Sequence, residues 1–234
     1  MKKLFTLLII TMMAVGAQAQ LIKFSADDVA SQGTLNGKTY GTDFVVKVVD
    51  PVGKFALDGN KSWFGTSAED AQQFTHRLKS GGKSQATEDK LNQLELTIPS
   101  AGKLTVYPRT GSNGATDRNM VITQSGNTLY DAVVKEADAI KADLGEKDED
   151  GNPKETNVYP GITVDVVAGT VVITHPNGSM NYYAFEFVEG TTGIKTVLTP
   201  VENENAPMYN VAGQQVDDNY KGVVVKNGKK FINK

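Results

Sequence analysis

Apolar and polar residues alternate along most of this chain with a period of two residues. The clearest example covers residues 94–130, where Leu94, Leu96 and Ile98 alternate with polar residues. After a Pro-Ser-Ala-Gly break the alternation resumes at Leu104. Period-two alternation around Pro/Gly turns is typical of half-buried antiparallel strands. The stretch therefore predicts a central pair of strands around which the rest of the chain is organised.

Other segments carry the same strand pattern, and Asn177-Gly178 between two of them is a strong hairpin signal. The remaining predicted strands cover residues 44–49, 55–58, 74–79, 158–167, 170–174 and 180–188. In the last of these, Tyr183, Phe185 and Phe187 are predicted to face the core and Tyr182 the other side. Residues 129–140 fit a helix or a strand, and residues 144–154 read as an exposed acidic loop. Together these elements predict an all-β sandwich.

The two ends of the chain differ from this pattern. Residues 1–19 have a basic start, a short apolar run and an Ala17-Gln18-Ala19 cleavage motif, which predicts a signal peptide and a mature chain beginning at Gln20. Residues 20–190 are the predicted sandwich, residues 191–207 a linker and residues 208–234 a small β-hairpin module. No later stretch is apolar enough to cross a bilayer, so we expect an exported protein that is periplasmic, at the cell surface or extracellular.

The composition of the chain excludes several classes of partner and chemistry. The formal net charge is −3, with acidic and basic residues interspersed, so a nucleic acid partner is not expected. The chain has no Cys, which excludes disulfides and a Cys/His zinc site. The two histidines belong to different elements: His76 is predicted to be buried and His175 to face solvent. Neither has an evident catalytic partner, so we do not expect an enzyme.

Short motifs in three predicted strands resemble a known module. They lie in residues 74–82, 96–111 and 182–187. They are similar to the jelly-roll, carbohydrate-binding-module-like (galactose-binding-like) domain appended to secreted pectate and other polysaccharide lyases. The resemblance implies a jelly-roll β-sandwich whose partner is a polysaccharide or glycan. In that family the module accompanies a catalytic domain, which we do not find in this sequence.

The C-terminal residues carry a second resemblance. Residues 209–216, the Lys221-Gly222 pair and residues 225–230 look like the C-terminal β sorting domain of the type IX (Por) secretion system. That resemblance implies export to the outer membrane and association with the cell surface.

Four residues on two predicted strands form the candidate ligand-binding patch. Arg77 and Lys79 alternate with Phe74 and Leu78, and Tyr107 and Arg109 alternate with Leu104 and Val106. Sugars stack on aromatic rings and accept hydrogen bonds from Arg, and a cationic patch favours a uronate polymer. The alternative is an ordinary solvated sheet face. Trp63, placed on a loop, is either a further stacking platform or a plug at one end of the sandwich.

An acidic run leaves one cofactor question open. The first half of an EF-hand calcium loop is matched by Glu146, Asp148, Asp150 and Gly151. Asn157 occupies the position where such a loop has its bidentate Glu. We expect no cofactor, with calcium as the alternative.

The sequence thus favours non-catalytic glycan binding by an exported protein. A structural or adhesive protein that binds another protein is the second reading, and a secreted polysaccharide-degrading enzyme the third.

Overall fold

The computed structural model describes residues 19–112, 114–190, 207–210, 213–217, 219–226 and 229–233. The chain forms two compact units, Met1–Thr191 and Thr192–Lys234. The predicted signal peptide up to residue 18 and the linker up to residue 206 lie outside the described residues.

The first unit is built almost entirely of strands. In chain order they are β1 (Ala19–Lys23), β2 (Thr39–Gly41), β3 (Val45–Val49), β4 (Ala56–Phe64), β5 (Gln72–Lys79), β6 (Gln93–Ile98), β7 (Gly102–Thr110), β8 (Asn119–Gln124), β9 (Asn127–Val133), β10 (Ile140–Lys147), β11 (Pro153–Tyr159), β12 (Ile162–Val166), β13 (Gly169–Thr174) and β14 (Met180–Glu189). Helix α1 (Ala26–Ala30) is capped by Ser25, and 3-10 turns cover Glu88–Lys90 and Glu136–Asp138.

These strands form two sheets. The eight-stranded sheet has the order β10-β11-β4-β5-β14-β7-β12, with β1 also pairing with β14. The six-stranded sheet has the order β2-β3-β6-β13-β8-β9. Strands β11 and β4 are parallel, and the other pairs within the two sheets are antiparallel.

The strand order is that of a jelly roll. Strands β5-β14-β7-β12 of one sheet face β6-β13-β8-β9 of the other, and the chain crosses between the sheets in the sequence that two Greek keys require. Strands β1–β4 and the β10–β11 hairpin extend this eight-strand core. The predicted all-β jelly-roll sandwich is therefore confirmed.

The main core lies between the two sheets. Alternate residues of each strand face inward, as the sequence pattern predicts. Fully buried examples are Val46, Val48, Leu94, Leu96, Leu104, Val106, Ile122, Val171, Ile173, Phe185 and Phe187.

A second hydrophobic cluster lies on the outer face of the eight-stranded sheet. This outer aromatic cluster consists of Phe64, Phe74, Tyr107, Tyr159, Tyr183 and Ala184. The register of β14 against β7 shifts between Tyr182 and Ala184, which is a β-bulge. Because the bulge moves the alternation by one residue, Tyr182 joins the main core and Tyr183 the outer cluster. The predicted orientation of these two tyrosines was wrong for this reason.

A similar irregularity separates two residues of β5. Phe74 lies in the outer aromatic cluster and Leu78 in the main core, although they were predicted to share a face. The register of β4 against β5 shifts between Gly59 and Ser62, which breaks the alternation at this point.

Residues 127–159 contain three strands in a region whose sequence pattern was ambiguous or predicted a loop. Strand β9 pairs with β8, and β10 and β11 form a hairpin. Strand β9 ends at Val133, and the predicted loop at 144–154 is mostly strand β10, a tight turn and the start of β11. The Asp148 carboxylate accepts the backbone N–H of Asp150 at 3.0 Å and of Asn152 at 2.8 Å. These hydrogen bonds, above all those from Asn152, lower the pKa of Asp148.

The acidic residues considered for calcium do not come together as a metal site. Glu146 instead accepts hydrogen bonds from Trp63 Nε1 and Thr156 Oγ1. Within the part of the chain that the structure describes, no group of three or more His, Cys, Asp or Glu side chains is placed to hold a metal ion.

A row of buried polar side chains closes one end of the sandwich. Val49 of β3 pairs with Gln93 of β6, so Asp50 and Asn92 come next to each other at the ends of these strands. Ile173 of β13 pairs with Leu94 of β6, which places His175 on the other side of Asn92. All three are buried. Asn92 Nδ2 donates to the Ser80 carbonyl at 2.8 Å.

The structure reverses the predicted environments of the two histidines. His175 is fully buried, with Nδ1 3.1 Å from the Tyr182 hydroxyl, because it continues the inward-facing series of Val171 and Ile173. His76 is only half-buried, and its Nδ1 lies 2.9 Å from Thr75 Oγ1.

The second unit is a small four-stranded sheet. Its strands are β15 (Met208–Asn210), β16 (Gln215–Val216), β17 (Gly222–Lys226) and β18 (Lys229–Asn233), in the order β16-β15-β17-β18. Met208 and Val224 are its buried apolar residues among those described. No helix in the described part of the chain has the length and hydropathy needed to span a membrane.

Acidification is expected to destabilise the first unit through His175. Burial lowers the pKa of His175 from 6.5 to about 4, whereas the unfolded chain keeps the ordinary value. Between pH 6.5 and 4 the unfolded chain therefore binds a proton that the folded chain does not, so stability is complete above pH 6.5 and falls as the pH drops. The loss amounts to about 3 kcal/mol and levels off below the folded pKa.

Denaturant unfolding at several pH values measures this effect. His175→Gln should flatten the dependence of unfolding free energy on pH in this window, and His76→Gln, which changes the other histidine, should leave it as in the parent. An equal slope in His175→Gln and the parent would assign the effect to other groups.

Candidate functional site

The outer aromatic cluster lies next to the candidate site, because Tyr183 donates a hydrogen bond to Asn60 and the Tyr159 ring packs against Arg109. The Phe64 ring lies at its centre, with ring centroids 5.2 Å from Tyr183, 5.5 Å from Tyr107 and 6.0 Å from Tyr159. These rings come from four different strands, so their packing fixes the outer face of the sheet at this point. Edge-to-face and tilted contacts of this kind add to the stabilisation from burial alone.

Tyr107 is part of this buried cluster and is not exposed for stacking on a sugar. Its side chain is on the face opposite Leu104 and Val106, as predicted, but only 8% of it is exposed. Its hydroxyl donates to Glu186 Oε2 at 2.7 Å, and burial followed by this hydrogen bond raises its pKa. The predicted stacking role of Tyr107 is therefore wrong: its ring is buried against Phe64 of β4 and Phe74 of β5 and is not open to a sugar.

A short segment crosses from the six-stranded sheet to the eight-stranded one beside this cluster. We call residues 134–139 the edge strap; it contains the 3-10 turn Glu136–Asp138. The strap begins with a hydrogen bond from Val134 N to the Arg118 carbonyl, and Ala139 at its end packs on the outer aromatic cluster.

Glu136 ties the strap to Arg109. Arg109 Nη2 donates to Glu136 Oε2 at 2.7 Å and Nε to Oε1 at 3.3 Å, and Thr110 Oγ1 donates to Oε1 at 3.0 Å. The Arg109 guanidinium also lies over the Tyr159 ring, 4.1 Å from its centroid. Burial acts to raise the pKa of Glu136, but the hydrogen bonds from Arg109, Tyr159 and Thr110 lower it, so the carboxylate is ionised. A bidentate pair stacked on a ring holds the guanidinium in one orientation.

Arg77 is held by a second carboxylate. Its Nε donates to Asp58 Oδ1 at 2.8 Å and Nη2 to Oδ2 at 3.4 Å. Lys79 Nζ lies 2.8 Å from the same carboxylate. Burial acts to raise the pKa of Asp58, but the two cations outweigh it and the pKa is lowered.

The two arginines line one cleft on the outer face of the eight-stranded sheet. We call it the arginine cleft; its volume is about 430 Å³. It is lined by Asn60, Arg77, Arg109, Thr110, Gly111, Ser112 and Asn181. Strands β4, β5, β14 and β7 lie side by side, which brings these residues together although they are far apart in sequence.

The cleft is rich in hydrogen-bond donors. The carboxylates of Asp58 and Glu136 pair with the arginines but do not line it. Each guanidinium keeps its Nη1 outside the carboxylate pair, and Arg109 Nη1 is 3.4 Å from Ser62 Oγ. Asn60 accepts the Tyr183 hydroxyl through Oδ1, which turns its amide NH₂ to other partners. Such an arrangement suits a ligand with many oxygen acceptors, including a carboxylate.

The structure separates the remaining predicted site residues from the cleft. Lys79 pairs with Asp58 but is not part of the lining. Trp63 lies within strand β4, not on a loop, and its Nε1 donates to Glu146 Oε1 at 3.1 Å. It is half-buried and also outside the lining.

Sequence reasoning missed six polar residues of the site: Asp58, Asn60, Thr110, Ser112, Glu136 and Asn181. Asn181 carried a signal, because it is a polar residue within an otherwise apolar strand; its Nδ2 donates to the Thr110 carbonyl at 2.8 Å. Glu136 carried none, since it lies in the segment whose pattern fitted both helix and strand.

Comparisons with known proteins give distant likenesses. No family model matches the chain, and no curated protein matches it significantly. A solved structure from the Ruminococcus flavefaciens cellulosome, described in terms of an expansion in glycan recognition, is 19% identical with a TM-score of 0.34; the match covers 74% of this chain and 96% of that one.

Two further solved structures are GH87 α-1,3-glucanases. The catalytic unit from Streptomyces thermodiastaticus strain HF3-3 is 19% identical with a TM-score of 0.33, over 62% of this chain and 26% of that one. A GH87 catalytic domain in complex with nigerose is 12% identical with a TM-score of 0.30, over 64% of this chain and 29% of that one. The match thus spans less than a third of either glucanase chain. At these TM-scores the likenesses carry no argument about function.

Replacing the strap anchor should loosen the strap. Glu136→Gln keeps the shape of the side chain but removes the charge from a pair whose side chains are only 18% and 22% exposed. We expect a loss of about 1–2 kcal/mol in unfolding free energy and faster amide hydrogen exchange in residues 134–139.

The matched control breaks an exposed pair. Lys103→Gln removes the Lys103–Asp165 ion pair, whose side chains are 63% and 85% exposed, and should cost less than about 0.5 kcal/mol. Equal costs for the two variants would contradict an anchoring role for Glu136.

Proposed function

We propose that the first unit binds a glycan in the arginine cleft and that a uronate-bearing polysaccharide is the preferred class. One observation carries the proposal: the guanidinium groups of Arg77 and Arg109 line the same cleft, and each is oriented by its own carboxylate. A guanidinium presents donors in a planar fork that matches a carboxylate or a pair of hydroxyls.

The cleft supports recognition by hydrogen bonding more than by stacking. Its lining contains side-chain amides from Asn60 and Asn181 and hydroxyls from Thr110 and Ser112. Two rings of the outer aromatic cluster support the lining, since Tyr159 packs against the Arg109 guanidinium and Tyr183 donates to Asn60. The ligand would therefore lie on a polar surface that these two tyrosines support.

We propose that this binding is non-catalytic. Hydrolysis of a glycosidic bond by a pair of carboxyl groups requires one of them to carry a proton. Asp58 and Glu136, the carboxylates next to the cleft arginines, both have lowered pKa values and are tied up in ion pairs. Neither is suited to act as a general acid.

Binding to polygalacturonate oligomers should depend on the two arginines. Arg77→Gln and Arg109→Gln are each expected to weaken binding by about 10- to 100-fold, because each removes charged hydrogen bonds to the ligand. Isothermal titration calorimetry at fixed salt, with a neutral oligosaccharide in parallel, measures the loss.

Lys79→Gln is the matched control for Arg77→Gln. It removes the other cation on Asp58 without touching the lining, and should change affinity less than about threefold. Parent protein that binds neither uronate nor neutral oligosaccharides would refute the proposal and favour a protein-binding, adhesive role. Release of reducing ends or unsaturated products would show an enzyme.

Export and surface association are part of the proposal. The basic start, the apolar run and the Ala17-Gln18-Ala19 motif support cleavage by a signal peptidase. Expressed in a Gram-negative host, the mature protein should begin at Gln20, as read by N-terminal sequencing. Deletion of residues 208–234 should prevent the protein from reaching the cell surface in a host with type IX secretion and leave it in the periplasm; unchanged fractionation would contradict a sorting role.

A further inference from the structure

A second, smaller cavity opens at the side of the sandwich. We call it the edge slot; its volume is about 100 Å³. It is lined by Pro108, Tyr130, Val133, Val134, Lys135, Asp138, Tyr159, Pro160 and Ile162. Most of these side chains are apolar, and the exposed Lys135 and Asp138 are the charged ones among them.

The edge slot and the arginine cleft share a wall. The Tyr159 ring lines the slot and carries the Arg109 guanidinium, which lines the cleft, at 4.1 Å from its centroid. The edge strap runs between the two openings, since Glu136 binds Arg109 while its neighbours Lys135 and Asp138 line the slot. A ligand that extends from the cleft across the strap therefore reaches the slot.

The size of the slot limits what can enter it. At about 100 Å³, the slot has less than a quarter of the volume of the arginine cleft, which is about 430 Å³. This difference suits the slot to a small substituent of the glycan and the cleft to its sugar units. The lining favours an apolar group, and Lys135 at the opening can donate to one carbonyl oxygen.

We propose that the edge slot binds an O-acetyl substituent of the glycan whose backbone lies in the arginine cleft. This inference rests on the proposed function. The acetyl methyl packs against Val133, Ile162 and the Tyr130 ring, and the ester carbonyl faces Lys135. A methyl ester of the uronate fits less well, because it removes the negative charge that the arginines recognise. A second carboxylate in the slot also fits less well, because Asp138 would repel it.

The test compares one oligogalacturonide in two forms that differ only in acetylation. Both lack methyl esters, and calorimetry measures the affinity of the full chain for each. Burial of the acetyl group should make the acetylated form bind about four- to tenfold more tightly. Val133→Phe fills the slot and should abolish this preference while leaving the affinity for the unacetylated form within about twofold.

Two controls keep the test decisive. Ala132→Phe introduces the same aromatic ring at the neighbouring exposed residue, outside the lining, and should keep the preference. Lys135→Gln, at the exposed opening, should reduce the preference without any risk to the core.

The outcomes separate the two proposals. Equal binding of the two forms by the parent, with Arg109→Gln still weakening both, overturns the acetyl site and leaves glycan binding intact. Binding of neither form by the parent removes glycan binding and the acetyl site together. Retention of the preference in both Val133→Phe and Lys135→Gln also overturns the acetyl site.

Discussion

Strand β14 is buried on both of its faces, and the rest of the first unit depends on that constraint. Residues 180–185 are all buried. A strand of a two-sheet sandwich ordinarily buries only every second side chain, because the others point away from the core. The bulge at Tyr183 and Ala184 makes this arrangement compatible with pairing to β7. Tyr182 then completes the main core, and Tyr183 anchors a separate aromatic layer outside it.

That outer layer helps to hold Arg109, and a carboxylate holds Arg77, before any ligand binds. A guanidinium on an open sheet face would lose much of its side-chain entropy on binding a ligand. Arg109 is already clamped between the Glu136 carboxylate and the Tyr159 ring, and Arg77 is fixed by Asp58. The arginine side chains therefore lose their conformational entropy during folding and not on ligand binding. Because the ion pairs are partly buried, salt screens them less than it screens exposed pairs.

Much of the fold could be predicted from the sequence. The period-two pattern located most core strands, because alternation is a local property. The predicted Asn177-Gly178 hairpin was wrong: the turn connects β13 of the six-stranded sheet to β14 of the eight-stranded sheet, and the two strands do not pair. The predicted central pair was wrong in the same way, since β6 and β7 belong to different sheets, and which strands pair depends on tertiary structure. The bulges at Tyr183 and between Gly59 and Ser62 were invisible, since they arise from the fit between neighbouring strands. His175 was misplaced because residues after a strand can continue its inward series without any apolar signal.

The site was predicted in part for the same reason. Arg77 and Arg109 were expected on one face, and they do share a cleft. The aromatic partner was not foreseen correctly, because Tyr107 is covered by rings from strands distant in sequence. The Glu136 anchor depends on a strap that crosses between sheets, and a crossing of this kind follows from tertiary structure alone.

Strand β1 pairs with the last ten-residue strand of the sandwich, and this has a consequence for how the chain reaches its native state. Residues 19–23 find their partners at 184–188, nearly the whole length of the unit away. Contacts so distant along the chain make loop closure slow, and all-β topologies of this type fold in milliseconds to seconds. The N-terminal strand therefore stays unpaired until almost the whole unit is available, which makes its pairing with β14 a late step of folding.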